Sequence, residues 1–336
     1  MEQTLKKYRQ AIQSGKINPV VRWDGQTSKT IFDPTDSNVP LDYTGFGAWR
    51  LEQGPFEVKT ADREYVLTPI CGEFEVSVGK DCFAGSRPGG PFTTQPELSN
   101  SSAIYIGRGQ QFKISGVGEM IWFSAPAYAD RPSAFVKPGD RKQIRRGTGV
   151  WHREVITLIT TDDFASNLVV GETYSPPGLW SGTPLHVHDK DDPAGGQSDH
   201  EEIYYHISRG TEGPWGAYGV QLLFDEKGLD KAYLVHNRDA MAIPGGAHPV
   251  VTGPASDMIY IWALVSNKSS PLKMYDIPEF TYLKSVEKII DELEGRRGQN
   301  PVSRQRLASL ADQHKIEGPK REILRQHLIE RGFEIQ

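Results

Sequence analysis

Two histidines one residue apart, His186 and His188 in "PLHVHD", open the chemistry of this chain. In a strand, alternate side chains share a face, so the two imidazoles stand together while Val187 points away. Two imidazoles so placed can share one ion. A second strand-like run, "EEIYYHI", sets Glu202, Tyr204 and His206 on one face and Glu201, Ile203 and Tyr205 on the other. A one-residue slip in its pairing turns every side chain over, so periodicity leaves open which glutamate meets the histidines. His248 comes later, in "AMAIPGGAHPVV", after a Pro-Gly-Gly turn that lets the chain approach closely. Two histidines, one carboxylate and a distant third histidine make a mixed nitrogen and oxygen set. That set suits a divalent metal: Zn²⁺, Mn²⁺, Fe²⁺, Ni²⁺ or Co²⁺. His206 reads either as a support behind the ligands or as a core histidine, while His200 and His236 read as loop and strand-surface residues. The gap "DKDDPAGGQSD" lacks Ca²⁺-loop spacing and reads as a solvated rim or lid.

The elements that must position these residues are mostly strands. Residues 1 to about 17 carry Leu5, Tyr8, Ala11 and Ile12 at helical spacing. From about 20 to 135 short strands alternate with turns; "GEFEVSVG" sets Phe74, Val76 and Val78 against Glu73, Glu75 and Ser77. A polar, basic connector, "VKPGDRKQIRRGTG", precedes a second series of strands, so two all-β domains of similar build are expected. All nine histidines lie at or after position 152, which assigns imidazole chemistry to the second series. Beyond about 283 the pattern turns helical, with a stripe of Leu283, Val286, Ile289, Ile290 and Leu293. A second helix is predicted to start at Asn300-Pro301 and a third to run from Gly318-Pro319 to Gly332. This tail is expected to pack on the barrel or on a second subunit, giving a homo-oligomer.

At 336 residues with a net charge of −5, the chain can bury two cores and presents no global basic field for nucleic acid. No apolar run approaches a membrane span, and the start lacks a signal-peptide core. The two cysteines, Cys71 and Cys82, form no disulfide framework and read as free thiols. A cytoplasmic location with no membrane partner is the expectation.

The chain resembles the cupin superfamily, through HxH followed by Glu and through a Pro-Gly turn followed by His. More narrowly it resembles the 5-deoxy-glucuronate isomerase family of inositol breakdown, itself related to 5-keto-4-deoxyuronate isomerase. The resemblance rests on "GETYSPPGLWSGTPLHVHD", "EEIYYHI" and "YGVQLLFDEKGLDKAYLVHNRDAMAIPGGAHPVVTGP". In the first half it rests on "GFGAWRLEQG" and "DREYVLTPICGEFEVSVG", and the whole spans about 20 to 280. It implies an all-β bicupin, two double-stranded β-helix (jelly-roll) barrels, with a short N-terminal helix and a C-terminal helical tail. The expected parts are a helical arm (1–19), a metal-free cupin (20–135), a metal-binding cupin (136–282) and the tail (283–336). It also implies Glu202 rather than Glu201 as the ligand beside His186, His188 and His248. The chain departs from that family in Leu179, Gly182 and Val187, in its last strand "IYIWALV", and in the added arm and tail.

The resemblance implies an aldose–ketose isomerase acting on a deoxy-uronate, 5-deoxy-glucuronate to 2-deoxy-5-keto-gluconate. Such chemistry needs an ion to acidify the C–H beside a carbonyl and a group to carry the proton between carbons. Tyr204 is a candidate for that group. Gln221, at a family position, is a candidate orienting donor. The carboxylate of a sugar-acid substrate calls for an arginine fork, with Arg153, Arg146 and Arg145 as candidates. The same ligand set also serves an Fe²⁺-dependent cupin oxygenase or oxidase, or a non-catalytic sugar-binding cupin.

Overall fold

The computed structural model describes residues 4–93, 99–210, 216–295 and 300–336. The start of the first expected helix, residues 1–3, lies outside them. The alternating segments form antiparallel strands, and they fall into two series. In the first half, strands from Lys29–Phe32 to Ala134–Val136 make an eight-stranded sheet built on two long strands, Arg63–Val78 and Gln111–Pro126. In the second half an eight-stranded sheet is centred on Gln197–Gly210 and Ser256–Ser266. A four-stranded sheet contains Tyr218–Phe224, Asp230–His236 and Val250–Thr252.

The two series repeat in register. Gly47 pairs with Trp122 in the first half and Gly171 with Trp262 in the second. A Cβ on either glycine would lie 2.4 Å or 2.2 Å from the indole of its partner, so only glycine admits the ring there. The same pairings align Leu67 with Tyr204, hence Glu64 with Glu201 and Tyr65 with Glu202. Tyr65 packs on Phe112 and Trp122, so an apolar aromatic cluster stands where the second half carries a carboxylate.

Strand alternation divides the packing. Ile203, Tyr205 and Ile207 face Phe46, Val66, Tyr105 and Phe123 in a core shared by the halves. Tyr204 faces Leu223, Val235, Met241, Met258 and Tyr260 in a separate core within the second half. Two glutamates clasp the halves reciprocally. Glu201 accepts hydrogen bonds from the backbone N–H groups of Asp42, Tyr43 and Thr44 and from the Thr44 hydroxyl. Glu64 accepts from the N–H groups of Ser166, Asn167 and Leu168 and from the Tyr105 hydroxyl.

Three sequence expectations are corrected. Strand Val20–Arg22 pairs with Asp239–Ile243 of the second half, and helix Thr4–Gln13 sets Leu5, Tyr8 and Ile12 into the second half's core. The first-half strands therefore begin at Lys29, because the amino-terminal stretch completes the other sheet. The second tail helix is Arg304–Gln313, capped by the Ser303 hydroxyl accepting from Arg306 N–H, rather than starting at Asn300-Pro301. A serine hydroxyl one turn later satisfies the free amide. In the third, Lys320–Glu330, Leu324 and Leu328 are buried while Ile329 is exposed. The stripe from Leu283 to Leu293 is buried within the chain, against Val302, Leu310, Leu324, Leu328 and Trp151. Among the described residues no helix is long and apolar enough to cross a membrane.

Replacing either clasp removes a buried carboxylate and leaves backbone donors without acceptors. Glu64→Ala and Glu201→Ala are each expected to lower the unfolding free energy by about 3 kcal/mol. Urea denaturation measures this, and an unchanged midpoint for both would show that the clasps do not join the halves.

Candidate metal centre and its cleft

Glu202 reaches the interior of the second half because its pairing with Ile243 and Leu264 fixes the register of its strand. Its Oε2 lies 3.3 Å from His188 Nε2 and 3.0 Å from His248 Nε2. Among the described residues these three, all buried, are the group of side chains able to meet at one ion. Each imidazole is held from behind by its Nδ1. That of His188 bonds to the His200 carbonyl (3.0 Å), that of His248 to the Gly246 carbonyl (2.7 Å) and that of His186 to the Pro184 carbonyl (2.9 Å). An Nδ1–H donated to a carbonyl leaves the Nε2 lone pair facing inward, the tautomer that ligates metal. Two such lone pairs and a carboxylate oxygen repel one another unless a cation or protons lie between them, so the donor set fits a divalent cation. Burial would raise the Glu202 carboxyl, but His188 and His248, when their Nε2 atoms carry protons, overturn this and hold it at about 2.

The Pro-Gly-Gly turn brings His248 into place. Gly245 and Gly246 adopt φ of +137° and +84°, a Cβ on Gly245 would come within 2.5 Å of Asp189 Cβ, and Gly246 N–H donates to Asp189. The turn thereby packs on the residue that follows His188. Gln221 supports His248 from outside the cleft: its Nε2 donates to the His248 carbonyl at 2.5 Å, and its Oε1 lies 3.4 Å from His206 Nε2. The buried His206 also bonds through Nδ1 to the Asp239 carbonyl. Gln221 and His206 thus form a layer behind His248 rather than a wall of the cleft.

His186 stands apart. Its ring centre is 6.3 Å from that of His188 and 6.1 Å from that of His248. The chain changes partners between the two histidines: His186 pairs with Asp276, whereas the His188 carbonyl accepts from His200 N–H. His186 occupies the rim of the same cleft, and burial, with the neighbouring His248, lowers its imidazole to about 4.

The cleft, about 610 Å³ and open to solvent, is lined by His186, His188, Glu202, Tyr204, Tyr260 and Arg153 among others. Tyr204 stacks on Tyr260 at 4.4 Å and meets His248 edge-on at 5.8 Å. Burial, reinforced by Glu202, pushes the Tyr204 phenol well above its ordinary value. Arg153 is half-buried, burial lowers its guanidinium, and it donates to the Trp151 carbonyl at 3.1 Å. Among the described residues it has no carboxylate at ion-pair distance. Arg146 also lines the cleft, whereas Arg145 pairs with Glu154.

Tyr260 and Trp262 were not singled out in the sequence, although the alternation of "MIYIWALV" marks Met258, Tyr260, Trp262 and Leu264 as one face. Nothing in the sequence marked Lys284 and Glu287 of the tail, which also line the cleft. The presumed solvated loop after His188 is a hairpin, Asp189–Asp192 against Gln197–Gly210, and His200 within it is buried.

The His200 ring, buried beside His188, is lowered from 6.5 to about 3, by burial first and His188 second. A depressed folded value stabilises the fold above the unfolded value and loses that contribution as pH falls from 6.5 toward 3. Between pH 7.5 and pH 5, urea unfolding of metal-free protein should lose about 2 kcal/mol more than that of His200→Leu. Equal pH slopes for the two proteins would remove His200 from the acid sensitivity.

The KduI/IolB family matches residues 20–283. A 5-deoxy-glucuronate isomerase of Listeria innocua is 30% identical over 245 residues, covering 70% of this chain and 86% of the relative. One of Halalkalibacterium halodurans is 29% identical, covering 66% and 80%. Among solved structures, an IolB-like protein of Salmonella typhimurium aligns with a TM-score of 0.70 at 23% identity, over 80% of this chain and 99% of that one. An oxalate decarboxylase of Lactobacillus farciminis aligns at 0.50 and 12%, over 82% and 94%, a likeness of fold alone. By its sequence match over these residues the chain belongs to the KduI/IolB family, as an enzyme of the isomerase class.

Proposed function

We propose that this enzyme is a metal-dependent aldose–ketose isomerase of bicupin build. Its substrate is a deoxy-uronate, with 5-deoxy-glucuronate converted to 2-deoxy-5-keto-gluconate. The observation that carries the reading is the meeting of His188, Glu202 and His248 at the floor of a cleft that also exposes Arg153. Relatives named 5-deoxy-glucuronate isomerase support the substrate. The register equivalence of Tyr65 and Glu202 supports a first barrel without ligands and a second that carries the site.

His188, Glu202 and His248 would hold the cation, and His186 stands at the rim of the same cleft. When bound, the ion supplies Lewis-acid stabilisation of the charge that develops on the carbonyl and neighbouring hydroxyl oxygens. Arg153 takes the substrate carboxylate through its guanidinium fork, which no protein carboxylate occupies among the described residues. Tyr204, whose buried phenol keeps its proton, donates a hydrogen bond to the substrate oxygen on which charge develops. Gln221 acts through His248, keeping that ring aimed.

Purified protein incubated with 5-deoxy-glucuronate should convert it, as followed by NMR. Activity should fall on chelation and return with Zn²⁺ or Mn²⁺. Unaltered 5-deoxy-glucuronate and related keto-uronates would sink the reading. For Tyr204→Phe, kcat should drop by about 100-fold with little change in bound metal; an unchanged kcat would limit Tyr204 to packing.

A further inference from the structure

We propose that the carboxy-terminal helices, outside the family match, belong to the substrate site. Glu287 and Trp151 act as positioning residues that aim Arg153 at the substrate carboxylate. This rests on the reading of the cleft as a sugar-acid site. The match ends at residue 283, and helix Tyr282–Gly295 begins there. That helix does more than cover a barrel. Its Lys284 and Glu287 line the same cleft as His188 and Glu202.

A continuous path of contacts leads from the helix to the guanidinium. Glu287 Oε1 accepts from Trp151 Nε1 at 2.6 Å, and the Trp151 carbonyl accepts from Arg153 at 3.1 Å. The Trp151 ring is buried with Leu283, Val286, Ile289 and Ile290, and the His327 ring meets it edge-on at 4.6 Å. On the other margin Lys284 Nζ bonds to Asp276 at 2.5 Å, and Asp276 is the strand partner of His186. One helix therefore grips both edges of the cleft.

The segment it holds needs holding. Between the exposed strand Ile144–Arg146 and Arg153 lies a single turn, Gly149–Trp151. An arginine has many rotamers, and a fork misplaced by about 1 Å forfeits much of a bidentate bond. Anchoring Trp151 by ring and Nε1 together fixes the carbonyl to which Arg153 is tied. A purely structural tail would need the buried stripe but not a cleft-facing acceptor for the indole.

The test uses the metal-loaded full chain. KM and kcat are measured on 5-deoxy-glucuronate, D-glucuronate binding by calorimetry, and metal content for each variant. Glu287→Ala and Trp151→Phe should raise KM and weaken D-glucuronate by about tenfold, with a far smaller fall in kcat and full metal content. Glu287→Gln keeps an acceptor oxygen for the indole and should restore most of the lost binding. If Trp151→Phe does not fold, the Glu287 pair decides alone. KM and D-glucuronate affinity at parental values in Glu287→Ala would overturn the proposal, as would a Glu287→Gln as impaired as the alanine. So would parental protein that neither converts 5-deoxy-glucuronate nor binds D-glucuronate. Absent turnover together with D-glucuronate binding that follows these substitutions would remove the isomerase reading and leave the positioning role standing.

Discussion

Strand Gln197–Gly210 lies between two cores, and the architecture depends on the opposite destinations of two adjacent glutamates. The pleat sends Glu201 toward the first half and Glu202 into the interior of the second. Glu201 meets three backbone N–H groups and a hydroxyl; Glu202 meets two imidazoles. Buried carboxylates are tolerated only where such partners await them. A slip of one residue would exchange the faces of Glu201 and Glu202 and turn Ile203, Tyr205 and Ile207 out of the core that the halves share. The strand thus sets the joint between the halves and the register of the site by one constraint.

The reciprocal clasp of Glu64 shows how far the halves repeat and where they part. Both halves carry the glutamate that reaches across, the glycine and the facing tryptophan. They diverge at the next inward position, where Tyr65 packs among aromatics and Glu202 stands among histidines. The interior of the first half is filled with rings at this position, and that of the second keeps an open, polar floor. The amino-terminal arm adds an asymmetry of its own, for its strand and helix complete the second half.

The cleft combines a firm floor with attached margins. His188 and His248 are tied through Nδ1 to backbone carbonyls, and Asp189 and Gln221 secure the segments that carry them. The margins come from the junction before Arg153 and from the strand pair at His186, both gripped by the tail. Chemistry common to relatives would sit on the floor, whereas the margins can be altered by additions to the chain.

Much of this was legible in the residues. The HxH pair, the alternation of "EEIYYHI" and the histidine after the Pro-Gly-Gly turn marked the segments that bring His188, Glu202 and His248 together, because strand periodicity is local and survives without tertiary contacts. The helical stripe of the tail was legible for the same reason. Local periodicity alone could not choose between Glu201 and Glu202; resemblance to relatives made that choice, and pairing with Ile243 and Leu264 accounts for it. The separation of His186 from His188 was hidden, since alternation predicts a shared face but not a change of strand partner between them. The burial of His200, the amino-terminal strand's place in the second sheet and Glu287 at the cleft were hidden too. Each depends on contacts between segments far apart in the chain. By itself the sequence determined which residue types stood on which face of each strand, a property of backbone geometry. Only the tertiary structure decided which faces met and which margin the tail would close, because those follow from long-range register and packing.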